Sequence, residues 1–246
     1  MKTCIFIGPS RGDIVIPDDV SIYPPAAMGA IFNATIAGYE VIALVDAVFG
    51  NVPTVWHKEI LYAISKGCVV IGGSSMGAIR ASELDVYGMV GIGIAYRLFK
   101  RGLTDDDEVC LAHAPEDLNY MPISDPMINV RYTARRMKRY GVFDSKSELE
   151  FVSKMKNIFF TNRDKSAIKK CIKQVVSPNK VGETIKLYSD LYFNVKEFDA
   201  RLVVKALKEA ERYISMKCMF NFPASYHWKE HFEYKLSEIP PLVKKN

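Results

Sequence analysis

Between residues 67 and 84 the chain reads GCVVIGGSSMGAIRASEL, and Gly73-Ser74-Ser75-Met76-Gly77 within it spells G-x-S-x-G. That pattern marks a serine nucleophile when a buried strand precedes it and a helix follows at once, because the sharp turn lifts the hydroxyl clear of the sheet. Both neighbours are present here: Cys68–Ile71 is a continuous apolar run, and Met76–Leu84 has helical spacing. Gly72, Gly73, Ser74 and Gly77 are small enough for the turn, and Ala78 and Ala81 allow close packing of the helix. A serine at such a turn sits at a helix N-terminus, where the Met76 and Gly77 amides are placed to stabilise an oxyanion. The same residues fit a second reading, a Gly-Ser turn that only caps the helix or binds a phosphate.

A serine nucleophile needs a base. His57, Lys58, Lys66 and His113 are the candidates. TVWHKEILYAISK, residues 54–66, predicts a helix whose buried stripe is Trp56, Ile60, Ala63 and Ile64, with His57 at the edge of the stripe and Lys58 pointing away. Read by periodicity alone, Lys58 and Glu59 form a solvated pair. A lysine becomes a useful base only when its environment brings the pKa from ~10.4 towards ~7–8. GPSRGD, which follows the first apolar run, is not a dinucleotide fingerprint, and reads as a tight turn whose amides and Ser10 face the site. Asp46, at the end of a second buried run, completes the polar groups expected at this edge. Asp105-Asp106-Asp107-Glu108 is read as a solvated loop, since consecutive acids before a strand do not converge as metal ligands do, and no metal or cofactor is expected.

The elements that position these groups follow from the apolar pattern. Thr3–Ile7, Val41–Val45 and Cys68–Ile71 read as strands buried on both faces, and Val109–Ala112 as a fourth. Residues 24–37, 54–66 and 76–84 read as the helices between or after them. Unalternating strands separated by helices predict a parallel sheet with right-handed crossovers, whose sites lie beyond the carboxyl ends of the strands. The expected architecture is α/β: an N-terminal doubly wound, mainly parallel sheet with a helical C-terminal half. Residues 1–125 should form the α/β domain and residues 126–246 a basic helical region packed on it, with a frayed tail.

Charge is distributed unevenly. Residues 127–246 carry 25 Lys and Arg against 13 Asp and Glu, whereas residues 104–126 carry seven acids and no base. The surplus reads either as solvated helix faces or as a docking surface for an acidic partner. No nucleic-acid recognition motif accompanies it, so nucleic acid is an unlikely partner. The five cysteines are scattered without C-x-x-C, which argues against disulfides and zinc and leaves a persulfide-carrying cysteine as a minor reading. No apolar run approaches the ~18 residues of a membrane span, and the N-terminal run, cut by Gly8-Pro9, is too short for a signal-peptide core of ~7–15, so the expectation is a cytoplasmic protein without a membrane partner.

Laid out in order, IFIGPS, PPAAMGA, VDAVFGNVPTVWHKEIL, GGSSMGAIRASELDVYGMVGIG and TDDDEVCLAHA resemble the TfuA-like proteins over roughly residues 4–135. Ser75-Met76-Gly77-Ala78 with Arg80-Ala81-x-Glu83-Leu84, preceded by Trp56-His57-Lys58-Glu59, is the specific part of the likeness. Ala47 departs from it, standing where glycine would be expected. The resemblance implies a partner of YcaO-type ATP-dependent enzymes in backbone thioamidation, a post-translational modification of a peptide or protein. It further implies sulfide release from a thiocarboxylated ThiS-like carrier by a Ser–Lys pair, Ser75 as nucleophile and Lys58 as base. Gly8, Ser10, Met76, Gly77, Asp46 and His57 would then line the site, and the precursor peptide is a further possible partner. Two other functions stay open: a non-catalytic adaptor holding YcaO and its peptide, and a small-molecule serine esterase, for which no Asp-plus-His order after Ser75 fits.

Overall fold

The computed structural model describes residues 1–50, 52–214 and 222–233. Its chain divides into two compact units, residues 1–104 with 197–246, and residues 105–196. The division therefore falls earlier than the boundary expected after residue 125, and the C-terminal residues rejoin the first unit. Cys218 and the tail from residue 234 lie outside the described residues.

Five strands form the first unit's sheet: β1 (Thr3–Phe6), β2 (Val20–Tyr23), β3 (Val41–Leu44), β4 (Val69–Gly73) and β5 (Val90–Ile92). They are parallel throughout, in the order β2-β1-β3-β4-β5. The helices are α1 (Ala30–Ile36), α2 (His57–Ser65), α3 (Met76–Leu84) and α4 (Gly93–Lys100). Each step from β2 to β3, β3 to β4 and β4 to β5 moves in the same direction across the sheet. Right-handed crossovers therefore place α1, α2 and α3 on one face. The return from β1 to β2 contains no helix, so the crossovers leave the opposite face uncovered.

Residues from the end of the chain fill that gap. Ala200, Val203, Val204 and Leu207 of α9 (Val195–Leu207) pack on Ile5, Ile7, Ala43, Val45 and Ile71. The first unit is completed by α10 (Glu211–Ile214) and α11 (Tyr226–Trp228). Trp228 and Phe232 pack with Phe32, Trp56 and Tyr62, so the described C-terminal segment contributes to the α1–α2 side.

The second unit is helical, as its three- and four-residue apolar spacing predicts. It comprises α5 (Met127–Arg139), α6 (Ser145–Lys156), α7 (Lys165–Val175) and α8 (Val181–Asp190), closed over Met127, Val130, Met137, Phe151, Ile172 and Tyr188. Asp144 and Asp164 cap α6 and α7, accepting from the Ser147 and Ala167 amides.

Two expectations are corrected. Val109–Ala112 is not a strand: Val109 and Cys110 are buried, but nearby pairing is a single bridge between His113 and Pro122. The acidic run is solvated only at its start: Asp105 and Asp106 are exposed, Asp107 is half-buried, and Glu108 is buried. Glu108 is 1 % exposed and takes a two-pronged bond from Arg131, 2.8 Å on each oxygen, while Lys156 lies 3.0 Å from both Glu108 and Asp105. Asp107 pairs with Lys156 and Arg163, which hold its carboxyl below the usual range despite partial burial. Asp105, Asp107 and Glu108 do converge closely enough for a cation, but they already converge on these basic side chains. No helix among the described residues is long and apolar enough to cross a membrane.

Candidate active site at the carboxyl edge of the sheet

The turn from β4 to α3 owes its geometry to glycines. A Cβ on Gly77 would lie 1.8 Å from the Leu44 carbonyl oxygen, and one on Gly72 would lie 2.2 Å from that of Gly77. Only bare backbone lets α3 seat this close to β3 and β4. Gly77 exploits the approach, donating its N–H to the Val45 carbonyl at 3.2 Å.

Ser74 and Ser75 occupy the turn itself. Ser74 has φ 70°, a left-handed conformation that an L-residue holds at a cost of ~1–2 kcal/mol. It is fully buried, and its hydroxyl donates to Ser10 Oγ at 3.0 Å. Ser10 Oγ in turn donates to Asp46 Oδ1 at 2.7 Å. The other carboxylate oxygen of Asp46 accepts the Gly8 and Ser10 amides, both at 2.9 Å. The Gly8 and Ser10 amides of the GPS turn are thus spent on Asp46.

Ser75 is the N-cap residue of α3, 1 % exposed, and its hydroxyl makes no hydrogen bond among the described residues. The Met76 amide, first in the helix, has no intrahelical acceptor. With Gly77 engaged, Met76 is the remaining N–H donor beside Ser75 from the pair expected to hold an oxyanion.

The candidate bases are dispersed. Lys58 Nζ donates to Ser225 Oγ at 2.6 Å, and among the described residues no bond joins it to Ser75. His57, exposed at the start of α2, lies 2.8 Å from Glu83 and 3.3 Å from Arg80. Lys66 is at the other end of α2, over the Tyr62 ring. His113 belongs to the second unit, its Nδ1 2.8 Å from the Ala114 carbonyl oxygen.

Glu59, read from periodicity as half of a solvated pair, is instead fully buried. It accepts the Trp56, Ile31 and Phe32 amides at 3.0, 3.2 and 3.4 Å, and burial raises its pKa to about 7 against those bonds. Cys4, Cys68, Cys110 and Cys171 are buried and form no disulfide among the described residues. Burial raises the Cys4 thiol and takes Cys110 to about 12, which removes thiolate chemistry at neutral pH from both.

Two features escaped the sequence reading. Ser74 looked like one more small turn residue, and nothing local distinguishes it from Ser75. Ser225 has no motif around it, and its partner Lys58 is 167 positions away.

Fold and turn together define an α/β protein carrying a G-x-S-x-G strand-to-helix turn at the carboxyl edge of a parallel sheet. Residues 46–164 match the family model described as TfuA-like protein, so over this stretch the chain carries a TfuA-like protein domain, of a family associated with YcaO thioamidation. No curated protein matches the chain.

Proposed function

We propose that the protein is an accessory hydrolase of backbone thioamidation that releases sulfide from a thiocarboxylated ThiS-like carrier for a YcaO-type enzyme. The observation that carries this reading is the β4–α3 turn, which lies inside the TfuA-like segment. It presents a Ser75 hydroxyl and a neighbouring Met76 amide that make no hydrogen bond among the described residues. A hydroxyl this enclosed suits the narrow, flexible C-terminus of a carrier better than a bulky substrate.

In the proposed reaction Ser75 Oγ attacks the thioacid carbon and its proton passes to Lys58. The oxyanion rests on the Met76 amide. Collapse breaks the C–S bond, hydrosulfide leaves, and an acyl-serine remains. Water adds to that ester, the serine recovers its proton, and the carrier departs as a carboxylate. The net change is thiocarboxylate plus water to carboxylate plus hydrogen sulfide. Lys58 must exchange its Ser225 partner for Ser75 during this cycle.

A second nucleophile assignment has its own support. Ser74 holds the left-handed backbone associated with strained turns, and the Ser10–Asp46 chain receives its proton. Sulfide release from a thiocarboxylated carrier, measured with purified full-length Ser74→Ala and Ser75→Ala, separates the two. Loss of at least a thousandfold in Ser75→Ala with activity retained in Ser74→Ala is expected, and the reverse pattern moves the nucleophile to Ser74. Lys58→Met should match Ser75→Ala, and Lys58→Arg should not rescue, because guanidinium stays protonated. Wild-type protein that releases no sulfide yet binds YcaO would leave the adaptor function instead.

A further inference from the structure

The second unit contains a cavity of about 380 Å³ that the proposed hydrolysis does not use. Its size is within the ~300–1,000 Å³ range of ligand pockets. Ile168, Ile185, Tyr188 and Tyr192 make apolar walls, and Ile123 stands at its rim, 58 % exposed. Asp125 supplies the main polar group. One of its oxygens accepts the Tyr192 hydroxyl at 2.5 Å, and the other makes no hydrogen bond among the described residues. Burial raises this carboxyl, with nearby Lys165 acting in the opposite sense. The cavity therefore offers apolar walls and a hydrogen-bond acceptor, the complement of an aromatic side chain tipped with a donor.

The charge around it is equally distinctive. Helix α7 carries Lys165, Lys169, Lys170 and Lys173, with no acidic residue in its length. All four are exposed and none makes an ion pair among the described residues. Elsewhere in the unit the basic residues are often spoken for: Arg131, Lys156 and Arg163 on the acidic run, Lys138 on Glu148, and Lys154 on Glu150. The basic surplus of the second half is thus uncompensated at the helix whose Lys165 and Lys169 line the cavity.

We propose that this cavity and the lysine face of α7 are a docking site for an acidic polypeptide segment that inserts a tyrosine or tryptophan side chain. The aromatic body packs against Ile168, Ile185 and the two tyrosines, its O–H or N–H donates to the open oxygen of Asp125, and flanking carboxylates meet Lys165 and Lys169. This site is independent of the serine turn, so it stands or falls apart from the hydrolase reading.

The test uses the full chain and a fluorescein-labelled pentapeptide, a tyrosine between two pairs of glutamates, in an anisotropy titration. Binding should weaken at least tenfold when the tyrosine becomes alanine, when the glutamates become glutamines, and when salt is raised through the range that screens charges. The exposed double variant Lys165→Glu/Lys169→Glu should lose at least tenfold, and Ser189→Trp, which fills the cavity from its exposed edge, should do the same. Sulfide release by the lysine variant should equal that of wild type. No binding of the pentapeptide, binding indifferent to the tyrosine or to both variants, or equal binding of a single-stranded oligonucleotide of the same charge would each overturn the proposal.

Discussion

The strain at Ser74 makes a prediction in which alanine is worse than glycine. Replacing Ser74 by alanine removes its 3.0 Å bond to Ser10 while keeping a Cβ on a backbone at φ 70°. The lost bond is worth ~1 kcal/mol, since Ser10 keeps its own acceptor in Asp46. Ser74→Gly loses the same bond but relieves the ~1–2 kcal/mol left-handed penalty. Against that relief stands ~0.5–1 kcal/mol for glycine's greater freedom in the unfolded chain. Alanine should therefore be the least stable of the three, with glycine ~0–1.5 kcal/mol above it and closer to wild type. Urea titration followed by tryptophan fluorescence reads this unit alone, because the chain's two tryptophans, Trp56 and Trp228, both belong to it. A double-mutant cycle of Ser74→Ala with Ser10→Ala should show coupling of ~1 kcal/mol. Glycine less stable than alanine would refute the strain, and zero coupling would refute the hydroxyl chain.

Three other perturbations test the frame around the site. Glu59 carries a raised pKa of about 7, so the native state binds the extra proton. Its contribution is greatest in acid and is lost as pH rises from about 4.5 to about 7, by an amount on the order of 3 kcal/mol; Glu59→Gln should flatten that part of a urea-midpoint profile against pH. Arg131→Ala strips a buried carboxylate of its two-pronged partner but leaves it Lys156 at 3.0 Å, and should cost ~1–3 kcal/mol, seen as early loss of helical circular dichroism, whereas exposed Arg139→Ala should change little. Gly77→Ala must part α3 from β3 to clear the 1.8 Å approach and should cost more than ~3 kcal/mol or yield insoluble chain; wild-type stability would show that the approach is not required.

The sequence revealed the elements whose signal is local. β1, β3 and β4 are continuous apolar runs ended by glycine or a polar residue, and α3 spans Met76–Leu84 as its spacing predicts. The edge strands were not legible: β2 has buried ends only, and β5 is three half-buried residues with glycine in the middle. Val109 and Cys110 look like a strand because burial and pairing leave the same apolar trace in a sequence. At the site, Ser75, Asp46 and Ser10 could be placed at one edge of the sheet. Their hydrogen bonds could not, since Ser10 reaches Asp46 only because β1 and β3 are neighbours. Long-range partners were invisible for the same reason: Glu108 meets Arg131 and Lys156 across 23 and 48 positions, which ties one end of a loop read as solvated into an ion-pair network around a buried carboxylate.

The TfuA-like segment and the folding unit are different objects. Residues 46–164 begin just after β3, so they hold β4 and β5 and omit β1, β2 and β3. They contain Lys58, Ser74, Ser75 and the glycines of the turn but neither Gly8 nor Ser10, whose amides and hydroxyl satisfy the buried carboxylate of Asp46. They also stop short of α9, whose Ala200, Val203, Val204 and Leu207 cover the sheet face that the crossover helices leave bare. Cutting the chain to the matched segment, or to residues 1–125, would expose that face to water and leave an unpaired strand edge or an uncovered sheet, both routes to aggregation. A site whose residues come from the middle of the chain thus depends for its shape on both ends. Any change that loosens α9 should disturb the Ser75 turn directly, because Val203 packs where a Cβ on Gly73 would stand, 2.6 Å away.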